Sequence, residues 1–137
     1  MTDNESNWIQ SQITDLVEKY GTVPPLWSAF PNKHPYSAFW RMGKGESYAI
    51  VFNYWWDIQH FDEETKINYF RNWPPPPLWL ESMITYIWGV LPAEEELSDD
   101  SLYTERLTPY FDQLERLGFG SKSDYERDLA DPKWLEV

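Results

Sequence analysis

Cysteine is absent from the chain, so no disulfide framework and no thiolate metal site contributes to its fold or chemistry. Long apolar runs are missing as well. The longest candidate, residues 78–91, is fourteen residues and contains Glu81, too short and too polar to cross a bilayer. The opening residues, Met-Thr-Asp-Asn-Glu-Ser, are acidic and polar, the reverse of a targeting peptide, and a cytoplasmic protein is expected. Histidine occurs only at His34 and His60, and no serine stands in a Gly-x-Ser-x-Gly setting, so no nucleophile with a supporting base is visible. No specific metal-ligand spacing is present either. His60-x-Asp62-Glu63-Glu64 matches none, and the acids at 94–100 lack the EF-hand pattern and its turn glycine, so neither a metal nor a cofactor is expected.

Positive charge is scarce. Eleven Lys and Arg face 23 Asp and Glu, a net charge of −12. Residues 81–137 hold fourteen acids and five bases, so most of the imbalance lies there. Direct nucleic-acid binding and anionic membrane surfaces are disfavoured, because both depend on Lys and Arg meeting phosphates. One interval runs the other way: from Lys19 to Lys44 there is no acid, while Lys19, Lys33, Arg41 and Lys44 are basic.

What the chain has in quantity is aromatic rings. There are 25, nine of them Trp, and seventeen lie between Trp27 and Trp88. Rings of this size bury large areas, so a few of them can close a core. The stretch from Phe39 to Trp56 organises the pattern: an aromatic pair, Gly43-Lys44-Gly45 as a tight turn, then an apolar run expected at the centre of the core. Residues 46–60 carry strand-like composition, but no second convincing strand exists to satisfy their backbone groups, which favours a helix.

The remaining elements follow from periodicity and punctuation. Helix 7–20 has Thr2 or Ser6 as cap and Gly21 as stop. Residues 21–37 form a Pro-rich packed segment, and a helical turn follows over 35–42. A helix starts at Asp62 and ends before Pro74. Pro74 to Pro77 form a stiff spacer, with Pro77 at the first helical position, in preference to a free polyproline ligand. The core helix 78–91 closes at Pro92. Helical structure from Leu102 to Gly118 is kinked or split at Pro109, with Thr108 as a second cap. Ser123-x-x-Glu126 caps a final helix ending near Pro132, and Trp134-Leu135 tucks back onto the body. The fold expected is mainly α, a compact single-domain bundle of five or six helices with Pro-rich connections and an aromatic core, centred on 46–60 and 78–91.

Two functional expectations follow. The first is a non-catalytic interaction module of the inhibitor, immunity or regulatory type. It would present the acids of the C-terminal third, Glu94, Glu95, Glu96, Asp99 and Asp100 foremost, to a basic protein partner. A sharper form has acids between 94 and 131 imitate nucleic-acid phosphates. The second is a small-molecule-binding protein or small enzyme with an aromatic and anion-binding pocket formed by Trp40, Arg41, Lys44, Glu46, Tyr48 and Trp55, near the Gly43-x-Gly45 helix start.

Overall fold

The computed structural model describes residues 3–89 and 100–134, and of residues 3, 100–106 and 134 the backbone alone. Among these residues the fold is all-α, with seven α-helices, short 3₁₀ turns between them and no strand. The chain divides into two compact units, Met1–Asp62 and Glu63–Val137, and each has its own buried aromatic and aliphatic core.

In the first unit, α1 spans Asp3–Tyr20. It starts earlier than the expected residue 7: Glu5 lies in its first turn, where negative charge opposes the helix dipole, and Ser6 lies inside the helix instead of capping it. Gly21 ends it at φ +80, its N–H donating to the Val17 carbonyl at 2.8 Å. Pro24 and Pro25 are buried with Val23, and after the extended Pro25 the short α2 (Leu26–Ala29) buries Leu26 and Trp27. The turn expected over 35–42 is a 3₁₀ turn at Ala38–Arg41, capped by the Ser37 hydroxyl accepting from the Phe39 N–H.

Helix α3 (Gly43–Gln59) confirms the helical assignment of 46–60 but starts three residues sooner. The Gly43-Lys44-Gly45 turn is the first turn of this helix, entered from an extended Met42. Gly45 is needed for closeness: a Cβ there would sit 2.1 Å from the Phe39 carbonyl oxygen. Along α3, Val51, Phe52, Trp55 and Trp56 are buried. The opposite side is not in the core, although it is equally apolar in sequence: Ile50 and Ile58 remain 46% and 45% exposed.

The second unit begins with α4 (Glu63–Asn72), whose first turn carries Glu63 and Glu64. The proline run then serves as the expected spacer. Pro75 is buried, Pro76 is extended, and Pro77 is the first residue of a 3₁₀ turn (Pro77–Trp79) that buries Leu78 and Trp79. Helix α5 (Leu80–Trp88) buries Leu80, Met83, Ile84 and Ile87. Gly89 stops it at φ +69, ahead of the expected Pro92, which lies outside the described residues. Helix α6 (Asp100–Arg116) runs unbroken through the exposed Pro109, so Thr108 caps no second helix. Leu107, Phe111 and Leu114 form its buried face.

Helix α7 (Lys122–Leu129) does have a capping box, but at Ser121 and Asp124 and not at Ser123 and Glu126. The Ser121 hydroxyl accepts from the Asp124 N–H at 3.1 Å, and the Asp124 carboxylate accepts from the Ser121 N–H at 3.0 Å. Both serines have an acid three residues on. Ser121 alone follows Gly120, whose φ of +137 redirects the chain and leaves Ser121 in the extended conformation an N-cap needs. These contacts hold the Asp124 carboxyl below its usual range, the Ser121 backbone N–H foremost. The chain ends, as described, in a 3₁₀ turn at Pro132–Trp134; the side chain of Trp134, and Leu135, lie outside the description.

Helix α7 packs on the 3₁₀ turn that follows the prolines, and one carboxylate ties the two together. Asp128 is 7% exposed. Its Oδ2 accepts the Leu78 N–H at 2.9 Å, and its Oδ1 lies 3.1 Å from the Lys133 ammonium. A proline spacer has no amides of its own to anchor it, so the first N–H after it becomes the point of attachment.

Two substitutions test this account by urea or thermal unfolding. Gly45→Ala should destabilise by about 1–3 kcal/mol or more through overpacking against the Phe39 carbonyl; an unchanged midpoint would remove the close-approach argument. Asp128→Ala should cost about 1–3 kcal/mol by leaving the Leu78 N–H buried and unpaired, and Asp128→Asn should recover part of the loss.

Candidate functional site

Phe30 is the centre of an aromatic cluster in the first unit. Its ring meets Phe39, Trp40 and Tyr48 edge to face, at centroid distances of 5.0, 5.9 and 5.7 Å. The chain reaches this arrangement because α2 ends at Ala29, releasing Phe30, while the Gly45 close approach sets the Ala38–Arg41 turn against the start of α3. Cations stand at the rim. The Lys33 ammonium lies 4.8 Å from the Phe39 centroid, and that of Lys44 5.7 Å from the Phe30 centroid.

The six residues expected to form a pocket are placed differently from one another. Trp40 is half-buried and donates its indole N–H to the His34 carbonyl at 3.0 Å. Arg41 is exposed and reaches the Tyr36 carbonyl at 3.4 Å. Glu46 is exposed on the first turn of α3. Trp55 is buried two turns further along that helix, in a separate cluster with Phe52, Trp56 and Phe61. Lys44 and Tyr48 are the pair brought to one surface groove.

That groove runs between α1 and α3. On α3 it is lined by Lys44, Ser47, Tyr48 and Val51, a single helical face; on α1 by Trp8, Gln12 and Leu16, one face again; Phe30 joins them. This cleft holds about 220 Å³. A second cleft of about 230 Å³ adjoins it, sharing Leu16, Phe30 and Tyr48 and continuing to Tyr20, Pro24 and Ser28. No acidic residue lines either cleft. The α1 wall, Phe30 and Ser47 were missed by sequence reasoning. The four-residue steps Trp8-Gln12-Leu16-Tyr20 and Lys44-Tyr48 held the signal, but nothing in the sequence says that these two faces meet.

Tyr48 is the electrostatic anomaly of the groove. Its hydroxyl donates to the Pro24 carbonyl at 2.5 Å, and burial pushes the phenol well above its ordinary value of 10.0, with Tyr20 adding to the effect. The proton is therefore held as a structural donor to a backbone carbonyl in the proline segment. His34 is likewise structural: its Nδ1 accepts the Tyr36 N–H at 3.0 Å.

Elsewhere, Glu94, Glu95, Glu96 and Asp99 lie outside the described residues, and Asp100 is described only as the first residue of α6. Beyond it, Asp112 and Glu115 are exposed on α6. Among the described residues no group of three or more His, Asp or Glu could hold a metal ion, and no helix is long and apolar enough to cross a membrane. Comparison of the chain with protein-family models, curated proteins and solved structures finds no significant match.

The Tyr48 hydroxyl gives a pH prediction. A phenol whose pKa is raised by folding stabilises the folded state fully below pH 10.0, and that contribution fades as the pH climbs above this value. Tyr48→Phe should cost about 1–2 kcal/mol near neutrality, from the lost hydrogen bond and the unpaired carbonyl. It should also flatten the alkaline fall in stability, measured by urea unfolding on either side of pH 10.0. Parallel pH profiles for the two proteins would contradict this.

Proposed function

We propose that the chain is a non-catalytic protein–protein interaction module that presents an acidic surface to a basic partner, as an inhibitor, immunity factor or regulatory adaptor would. The observation that carries this reading is the charge distribution: fourteen acids against five bases in residues 81–137 of a chain whose total is −12. Asp112 and Glu115 support it from α6, where both are exposed and neither has an ion-pair partner among the described residues. Charge of one sign gathered over part of a molecule accelerates encounter with an oppositely charged surface and rejects like-charged ones. The ion pair of Lys122 with Glu126, at 3.9 Å and exposed, is too loose to offset much of this charge.

A second reading, a small-molecule-binding protein or small enzyme, is favoured by one specific observation. Lys44 and Tyr48 share the α1–α3 groove with Phe30. In this reading the groove takes the place of the wider pocket expected from Trp40 to Trp55.

The interaction reading predicts that tagged protein captures a stoichiometric basic partner at low salt and loses it at high salt, because screening shortens the reach of the field. A variant with Glu94, Glu95, Glu96, Asp112 and Glu115 changed to Lys should lose that partner even at low salt while keeping its unfolding midpoint. Capture that resists both salt and charge reversal would sink the acidic-surface reading.

A further inference from the structure

The groove between α1 and α3 has a chemistry of its own, independent of the acidic surface, and its ligand class rests on the small-molecule reading of it. Its floor and walls are aromatic and aliphatic: Phe30, Tyr48, Leu16, Val51 and the 42%-exposed Trp8. Its one charged lining group is Lys44, which is exposed and makes no ion pair among the described residues. Lys44 follows Gly43 in the first turn of a 17-residue helix that has no side-chain cap, so free backbone N–H groups add positive potential beside the ammonium. Glu46 is on the same turn but lines neither cleft.

We infer that this groove binds a small amphiphilic carboxylate, its apolar body against Phe30, Leu16 and Trp8 and its carboxylate on the Lys44 ammonium.

Three alternatives are weaker on the same observations. A cationic ligand would suit the aromatic rings, but Lys44 already stands 5.7 Å from the Phe30 centroid and would repel it. A phosphate needs several donors or an Arg fork, and a single lysine supplies one point charge. A large ligand would need both clefts at once, since volumes of about 220 and 230 Å³ each fall below the usual range for drug-sized sites. A single ring or a short alkyl chain matches that space. Gln12, Ser47 and Ser28 are placed along the groove to meet a second polar atom of the ligand.

The experiment is a two-dimensional amide NMR titration of the full chain with three probes. They are 4-phenylbutyrate, the neutral 4-phenylbutan-1-ol with the same body, and inorganic phosphate as a bare anion. Phenylbutyrate should shift amides on the facing sides of α1 and α3, around Gln12, Leu16, Lys44 and Tyr48. The alcohol should bind there more weakly, and phosphate should leave those amides unmoved. Lys44→Met should weaken phenylbutyrate about two- to fivefold, as expected for one charge-assisted contact at an exposed rim, and leave the alcohol unchanged. Ser47→Phe should fill the groove and abolish the shifts; if that variant does not fold, the exposed Lys44→Met still decides the matter. Absence of localised shifts, equal binding of acid and alcohol, an indifferent Lys44→Met, or equivalent shifts with phosphate would each overturn the inference.

Discussion

Every tyrosine or tryptophan that enters a core brings an O–H or N–H with it, and an unpaired donor in an apolar interior costs more than a hydrogen bond contributes. In a chain with nine Trp and nine Tyr this requirement recurs in each unit. In the first, the Tyr48 hydroxyl meets the Pro24 carbonyl and the Trp40 indole meets that of His34. In the second, Trp88 donates to Glu63 at 2.6 Å and Tyr125 to Glu81 at 2.7 Å. Among the described residues no buried side-chain nitrogen or oxygen is left without a partner. Two of these partners, the Pro24 and His34 carbonyls, lie in the segment that prolines keep out of helices. The proline-rich connections are thus acceptors for the rings as well as spacers.

The same requirement gives some acids a structural role. Glu63 and Glu81 each receive an aromatic donor, Glu63 while remaining exposed. Asp128 goes further. Burial removes it from solvent, and it remains acceptable because a backbone N–H and the Lys133 ammonium satisfy both oxygens. The net charge therefore overstates the acidity that a partner would meet, and the exposed Asp112 and Glu115 represent the surface better than a count does.

Local chemistry made much of the fold legible. Gly21 and Pro77 acted where their backbone preferences put them, and the apolar periodicity of residues 80–87 described a core face correctly. Residues 46–60 were resolved by an accounting of backbone partners, because their composition pointed to a strand. Differences arose where distance mattered. Gly45 reads as a turn residue until the Phe39 carbonyl is beside it. Ser121 and Ser123 offer the same cap spacing, and the backbone of Gly120 decides between them. Ile50 and Ile58 are as apolar as Val51, and only packing shows which side of α3 is covered. For the site, Lys44 and Tyr48 were legible as one helical step, whereas Trp55 lies on the same side of α3 but two turns on, within a closed cluster. The opposite wall comes from α1, and no local rule pairs Trp8 or Gln12 with residues more than thirty positions away.

A basic, ring-lined groove within a chain of net charge −12 raises the question of how an anion would reach it. At physiological ionic strength charges are screened over roughly 8 Å, so acids remote from the groove contribute little there. What acts locally is Lys44 and the uncapped start of α3, partly offset by Glu46 on the same turn. One exposed ammonium contributes only about 1 kcal/mol or less to holding an anion in water. Apolar burial must then provide most of the affinity, at about 25 cal/mol per Å² removed from water, with the charge setting orientation and selecting acid over alcohol. A bare anion gains the weak term alone and a neutral body lacks the selective one. The groove therefore discriminates only for a ligand that carries both.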